Sequence, residues 1–150
     1  KAIYKSCLIK KKIVEIDEKE NGLRKILNFG HTFAHAFEAS LNYSKKINHG
    51  EAVLLGVKTA SRFSLDKNLL PLKEFNMIND HLNLLNLPAE IKKFFTIKKV
   101  NNLISFMKID KKNNSNKINL VLLKKIGKPI FNLNFNSKKL VLFLKKELTN

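Results

Sequence analysis

The most informative stretch of this chain is residues 23–41, which read Leu-Arg-Lys-Ile-Leu-Asn-Phe-Gly-His-Thr-Phe-Ala-His-Ala-Phe-Glu-Ala-Ser-Leu. Its apolar residues recur at helical spacing, and this pattern predicts one long, buried helix. At about 100° per residue, four polar side chains lie within an arc of roughly 60° on one side of that helix, namely Arg24, Asn28, His31 and His35. A guanidinium, an amide and two imidazoles are costly to bury without partners. We therefore interpret this polar stripe as a functional site.

A second predicted helix follows closely in the sequence. Residues 42–48 form a polar loop, and His49-Gly50-Glu51 opens a helix that continues over residues 52–65. Because the connection is short, the two helices are expected to pack antiparallel, which brings His49 back toward His31 or His35. Neutral imidazoles suit zinc, and a catalytic zinc takes three protein ligands. The residues themselves leave the third ligand open, the candidates being Glu20, Glu38 and Glu51.

The rest of the chain predicts a mainly helical domain with a minor β element. Helices are expected over residues 4–15, 74–85, 88–94, 96–107 and 137–148, with Thr96 as the cap of the fourth and Asn136 or Ser137 as the cap of the last. Residues 17–22 and 127–129 are predicted to be turns, and residues 110–117 a polar loop. The expected strand is short, over residues 118–123.

Composition narrows the classes of function. The chain has 150 residues, 44% of them apolar, which is enough for one core, and no apolar run approaches the roughly 20 residues that span a membrane. The single cysteine, Cys7, fits a reducing cytoplasm. The net charge of +17 leaves a nucleic-acid-binding helical module as an alternative, but only Arg24 and Arg62 are arginines. The scattered lysines indicate a solvated surface that attracts small anions.

Three motifs resemble the signature of the 3-dehydroquinate synthase family. They are Gly22-Leu23-Arg24, the run Leu-Asn-Phe-Gly-His-Thr-Phe-Ala-His-Ala-Phe-Glu at 27–38, and His49-Gly50-Glu51-Ala52-Val53. The likeness extends to residues 17–20, 107–112 and 121–127, although Ala34 stands where the family often has glycine. The resemblance implies the helical C-terminal domain of the dehydroquinate synthase-like fold. Residues 1–150 are then one domain of a longer chain, and the N-terminal α/β domain, which binds NAD, lies before it.

The resemblance also implies a metal site. His31 and His49 match the two zinc-binding histidines of the family, whose third ligand is a glutamate from the segment before this one. The implied cofactors are therefore Zn2+ or Co2+, held in part by this chain, and NAD, bound mainly by the N-terminal domain.

Further residues match the family's substrate site. Arg24 corresponds to the arginine that holds the substrate's carboxylate or hydroxyl groups, and His35 and Glu20 belong to the proton-transfer network. The implied substrate-binding residues are Lys10, Arg24, Asn28 and His35, together with Lys111 or Lys112, which the spacing does not distinguish as the phosphate ligand. Lys10 is also an implied catalytic residue.

The implied activity is that of a carbon–oxygen lyase of the shikimate pathway. The family converts 3-deoxy-D-arabino-heptulosonate 7-phosphate to 3-dehydroquinate and phosphate through NAD-mediated transient oxidation, phosphate elimination, reduction and aldol closure. The resemblance further implies a cytoplasmic homodimer, no contact with nucleic acid or membrane, and no activity for the 150 residues alone. The alternative enzyme class is another sugar-phosphate cyclase or a related metal-dependent polyol dehydrogenase.

Overall fold

The computed structural model describes residues 1–84, 90–109 and 116–149. The α-helices are α1 (Ala2–Ile16), α2 (His31–Ser40), α3 (His49–Asp66), α4 (Leu72–Leu84), α5 (Val100–Ile109) and α6 (Ser137–Thr149). Two strands, β1 (Lys117–Lys125) and β2 (Lys128–Asn136), form an antiparallel hairpin. Short 3-10 helices span Leu23–Asn28, Ile91–Lys93 and Ile97–Lys99. The prediction of a mainly helical fold with a minor β element is confirmed.

One hydrophobic core joins most of these elements. Helix α2 contributes Phe33 and Phe37, α3 contributes Leu55 and Phe63, and α5, β1 and α6 close the core from the other sides. Helix α1 stands apart, since it has no buried residue and contacts mainly the first 3-10 helix. None of the helices in the described part of the chain is long and apolar enough to cross a membrane.

The prediction of a single helix over residues 23–41 is wrong. A 3-10 helix ends at Asn28, the backbone of Phe29 is extended, and α2 begins at His31 after Gly30, which has a φ of +83°. Gly30 packs directly against the backbone of Gly56 and Val57 in α3, so close that a Cβ at residue 30 would lie 2.6 Å from the amide nitrogen of Val57. This backbone contact holds the break in place, so Arg24 and Asn28 do not share a helix face with His31 and His35.

The prediction that α2 and α3 pack antiparallel is confirmed. Gly30, at the start of α2, meets the middle of α3, whereas Glu38, near the end of α2, contacts His49 at the start of α3. A reciprocal cap fixes the first turn of α3: the Asn48 side chain accepts from the Glu51 amide at 2.9 Å, and the Glu51 carboxylate accepts from the Asn48 amide at 2.8 Å. The structure thus places His49 at the first position of a well-capped helix.

The second half of the chain contains two strands, whereas one short strand was predicted. Residues 128–136 form a full strand, with Leu120 paired to Leu133 and Ile118 to Phe135, and the turn reduces to Ile126 and Gly127. Ser64 ties this hairpin to α3, because its hydroxyl accepts the amide of Leu123 at 3.0 Å. The predicted helix at 88–94 is only a 3-10 turn within the described residues, and Thr96 makes no side-chain cap.

Candidate functional site

Three histidines converge where α2 meets the start of α3. The ring centroids of His31 and His35 lie 5.7 Å apart, those of His31 and His49 6.2 Å, and those of His35 and His49 6.4 Å. The i, i+4 spacing along α2 brings the first two together, and the antiparallel packing supplies the third. The predicted convergence of His31 and His49 is therefore confirmed.

Two of these imidazoles are oriented through the same ring nitrogen. Nδ1 of His31 lies 3.4 Å from the carbonyl oxygen of Phe29, and Nδ1 of His49 lies 3.0 Å from Oε1 of Glu38. Both partners can only accept, so each Nδ1 carries the proton and donates it. In the neutral rings the lone pair then resides on Nε2, as is usual for metal-binding histidines with an outer hydrogen-bond partner.

The chemistry of this donor set fits a zinc or cobalt ion. Two neutral imidazoles are suitable ligands for either metal, and the 62% exposure of the His49 side chain leaves room for further ligands. Within residues 1–84, 90–109 and 116–149, no three His, Cys, Asp or Glu side chains form a complete metal-binding group. A metal at His31 and His49 would therefore need a further ligand from outside this group of side chains.

The three glutamates considered as third ligand all have other partners. Glu51 caps α3, and Glu38, whose side chain is only 14% exposed, accepts from His49. The Glu20 carboxylate accepts a hydrogen bond from the Asn28 amide, at the end of the first 3-10 helix. Glu38 thus orients the candidate ligand His49, whereas the sequence suggested Glu38 only as a candidate third ligand.

Asp17 organises the loop that carries Arg24. Its carboxylate accepts hydrogen bonds from the backbone amides of Asn21, Gly22 and Arg24, at 2.9, 2.8 and 2.9 Å respectively. The Arg24 guanidinium in turn donates to the carbonyl oxygen of Glu18 at 2.6 Å. The turn predicted at residues 17–22 is therefore held by the Asp17 side chain, which bonds to amides four, five and seven residues further along.

Neutralising Asp17 is expected to destabilise the protein in a pH-dependent way. The hydrogen bond from the Arg24 amide, followed by that from Gly22, lowers the pKa of the Asp17 carboxyl below its ordinary value of 3.8. Because the folded pKa is the lower one, the ionised carboxylate stabilises the fold above pH 3.8, and this contribution is lost as the pH falls further. In the full-length protein, Asp17→Asn should lower the urea midpoint at pH 7, and the difference from wild type should narrow below about pH 4.

The control for this experiment is Asp80→Asn, since Asp80 is exposed on α4 and its carboxylate has no hydrogen bond or ion pair within the described residues. Equal midpoints for Asp17→Asn and Asp80→Asn at pH 7 would contradict the role of Asp17 in the loop.

The remaining predicted site residues are Lys10, Lys111 and Lys112. Lys10 lies on the exposed surface of α1 and has neither a hydrogen bond nor an ion pair in the described part of the chain. Lys111 and Lys112 lie outside the described residues. The structure joins Glu38 to His49 in the histidine cluster, Arg24 to Asp17, and Asn28 to Glu20.

Comparison with known proteins identifies the family. The family model described as 3-dehydroquinate synthase C-terminal matches residues 1–113. A 3-dehydroquinate synthase of Pelagibacter ubique (strain HTCC1062) is 69% identical over 148 residues, which are 99% of this chain and 40% of that protein. Another, from Thermoanaerobacter pseudethanolicus, is 42% identical over 84% of this chain and 34% of its own length. The chain thus spans 40% or less of these relatives.

Two solved structures have a similar fold. ValA, a 2-epi-5-epi-valiolone synthase from Streptomyces hygroscopicus solved with NAD+ and Zn2+ bound, superposes with a TM-score of 0.73 over 92% of this chain and 37% of its own, at 20% identity. A 2-deoxy-scyllo-inosose synthase, solved with carbaglucose-6-phosphate, NAD+ and Co2+, gives a TM-score of 0.62 over 85% and 35% at 23% identity. At these identities the likeness concerns the fold. The match over residues 1–113 and the close relatives show that this chain belongs to the 3-dehydroquinate synthase family, in its C-terminal part.

Proposed function

We propose that this chain is the metal- and substrate-binding part of an enzyme that converts 3-deoxy-D-arabino-heptulosonate 7-phosphate to 3-dehydroquinate and phosphate. The observation that carries the proposal is the convergence of His31 and His49, each with its Nδ1 bound to an acceptor. The 69% identity to a 3-dehydroquinate synthase over nearly the whole chain supports the same reaction. The enzyme is a phosphate-eliminating lyase of the shikimate pathway.

His31 and His49 would hold Zn2+ or Co2+ through Nε2. When bound, the metal would supply Lewis-acid polarisation of substrate oxygens, and NAD would supply hydride transfer. The chain's own contribution is to fix these imidazoles before the metal arrives: α2 fixes one, and the cap of α3 with the Glu38 carboxylate fixes the other. Preorganisation of this kind lowers the cost of assembling the site.

Basic and amide side chains bind the anionic substrate. Arg24 offers a planar fork that suits a carboxylate. Its backbone amide donates to the Asp17 carboxylate and its guanidinium to the Glu18 carbonyl, and these bonds hold the segment in one conformation. Asn28 and His35 contact the phosphate, and Lys10 with Lys111 or Lys112 adds positive charge. The net charge of +17 draws the sugar phosphate toward the site.

His35 and Glu20 carry the protons. An imidazole has one nitrogen that accepts a proton and one that donates, so His35 can accept and return a proton beside the leaving phosphate. Glu20 is held against Asn28 by a hydrogen bond, which keeps its carboxylate at the substrate-binding segment. This hydrogen bond joins the proposed proton-transfer residue Glu20 to Asn28, one of the two proposed phosphate contacts.

The proposal includes partners. An NAD-binding α/β domain of the same protein supplies the third metal ligand, and the enzyme is a cytoplasmic homodimer. The exposed apolar side chains of α1 support a covered position for that helix in the larger assembly: Ile3 is 82% exposed, Ile9 59% and Ile16 71%. Full-length relatives, of which this chain spans 40% or less, have the length for such a domain.

The proposed function is tested by comparing turnover of three substrates, one for each class of sugar-phosphate cyclase. The full-length protein with NAD and zinc is incubated separately with the heptulosonate phosphate, sedoheptulose 7-phosphate and glucose 6-phosphate, and phosphate release and the cyclic product are measured. We expect turnover with the first substrate alone. Turnover with either of the other two would assign the chain to another class of sugar-phosphate cyclase.

Removing the Glu38 carboxylate is expected to weaken metal binding. Glu38→Leu should lower zinc affinity by about 10- to 100-fold, because the His49 ring loses its orienting acceptor. Glu38→Gln retains an oxygen that can accept from Nδ1, so its loss should be smaller. Affinity is measured on the full-length protein by competition with a chelator. Glu15→Gln on exposed α1 is the control, and wild-type affinity in Glu38→Leu would refute the role of Glu38.

A further inference from the structure

A cavity of about 320 Å3 lies between α3, α4, α6 and the 3-10 turn Ile91–Lys93. Lys58 and Arg62 line it from α3, Phe75 and Asn79 from α4, and Glu147 from α6. Its volume falls at the lower end of the range for small-molecule sites. A pocket of this size can hold a compact metabolite.

The cavity is separate from the histidine site. Lys58 follows His49 by nine residues on α3, which corresponds to a rotation of about 180° and a translation of roughly 13 Å along the helix. Gly56 and His49 share the side of α3 that packs on α2, so Lys58 belongs to the opposite side. A ligand in this cavity would not compete for the histidines.

Among the described residues, Lys58 is the cavity-lining cation for which no hydrogen bond or ion pair is found. Arg62 donates through Nε to Glu147 at 3.2 Å, and the ammonium of Lys92 lies 3.8 Å from Glu90. Lys58 is half-buried, yet within the described residues its ammonium has neither a hydrogen bond nor an ion pair. Burial lowers the pKa of Lys58 despite the opposing fields of Glu90 and Glu147. An oxyanion at this position would supply the missing partner.

Arg62 provides a second, preorganised donor. Its guanidinium carbon lies 5.3 Å from the ring centroid of Phe75, and its Nε bond to Glu147 fixes the plane from the other side. The terminal amino groups of the guanidinium have no hydrogen bond within the part of the chain that the structure describes. The amide of Asn79, which also lines the cavity, adds further polar contacts.

We propose that this cavity binds a small molecule through one oxyanion, a carboxylate or a phosphate group, held by the Lys58 ammonium with Arg62 as the second donor. The two ion pairs balance their own charges, so Lys58 leaves a single positive charge in the cavity. A ligand with one negative group matches that balance. The site lies outside the catalytic machinery proposed above and does not depend on it.

The experiment titrates the full-length protein with two probes, inorganic phosphate and acetate, and follows ligand-observed NMR. At least one probe should bind to a site outside the histidine cluster, and its affinity there should fall tenfold or more in Lys58→Met, because a charge-assisted hydrogen bond is lost. The affinity should persist in Lys58→Arg. Which probe binds distinguishes a phosphate site from a carboxylate site. Turnover at saturating substrate should be unchanged, which separates this cavity from the histidine site.

Lys92→Met is the matched control, because it removes an equal charge from the rim of the same cavity. Equal weakening in both variants would show general charge attraction and overturn the proposal. The proposal would also be overturned if Lys58→Met bound both probes as tightly as the wild type does. It would likewise fail if neither probe bound to any site other than the histidine site. Lys58→Gln repeats the test if the methionine variant does not fold.

Discussion

Replacing Gly56 by alanine is expected to destabilise the full-length protein by about 3 kcal/mol, in the range of severe overpacking. A Cβ at residue 56 would overlap the carbonyl oxygen of Gly30 and lie 3.0 Å from the amide nitrogen of Ala34. Both are backbone atoms of the break and of α2, so neither can move aside as a flexible side chain could. Alanine favours a helix interior over glycine by about 1 kcal/mol, which offsets only part of this cost.

The effect should extend from stability to the site. Relief of the overlap requires α2 to separate from α3, and this separation would move His31 away from His49. We therefore expect Gly56→Ala to lose metal affinity as well as stability. Unfolding in urea and zinc content per chain measure the two effects on the same sample.

Gly50→Ala is the matched control within the same helix. A Cβ at residue 50 would meet only the side-chain oxygen of Asn48, at 3.4 Å, in the exposed first turn. We expect its stability to stay within about 0.5 kcal/mol of wild type, as for most surface substitutions. If Gly56→Ala were as stable as Gly50→Ala, the close approach of α2 and α3 would be wrong.

The backbone contact between Gly30 and Gly56 explains why the prediction of one helix over residues 23–41 is wrong. The apolar spacing across Phe29 and Gly30 continues without interruption, so a local pattern predicts one helix. The break depends on Gly56, which lies 26 residues further along the chain, and on the backbone approach that two glycines allow. A contact between distant segments overrides the local preference here. His31 and His35 nevertheless stay on one face, because both lie after the break.

The missed strand has a different cause. Phe131, Leu133 and Phe135 alternate with asparagines, and this period of two is a strand signal that the sequence already contains. Asparagine has a low strand propensity and is common in loops, so the signal is weak by itself. Pairing with β1 and contact of the Phe135 ring with Phe63 supply what the local sequence lacks.

Within the site, residue types were predictable but their hydrogen bonds were not. Helical spacing and a short loop were sufficient to bring His31, His35 and His49 together. The choice of Glu38 as the partner of His49 depends on the angle at which α3 leaves its cap, which only the packed structure sets. The three hydrogen bonds that the Asp17 carboxylate accepts from backbone amides likewise depend on the fold of its loop.

Replacing His49 by alanine is expected to have the largest effect on function: zinc retention and turnover should both be lost in the full-length enzyme. The variant removes one of the two imidazoles whose Nε2 atoms are available as metal ligands. Among the described residues, His35 is the one further histidine in contact with this pair. The His49 side chain is 62% exposed, so its removal leaves no buried cavity and the fold should persist.

His81→Ala separates this loss from a general effect of removing a histidine. His81 is exposed on α4, far from the cluster in sequence, and its replacement should leave zinc content and turnover unchanged. Comparison with Glu38→Leu then separates the two roles. Glu38→Leu should lower the affinity for zinc by only 10- to 100-fold, whereas His49→Ala removes a ligand. Normal zinc content and turnover in His49→Ala would exclude the metal site proposed for His31 and His49. If instead zinc is lost and turnover persists, the metal is structural and the proposed reaction does not use it.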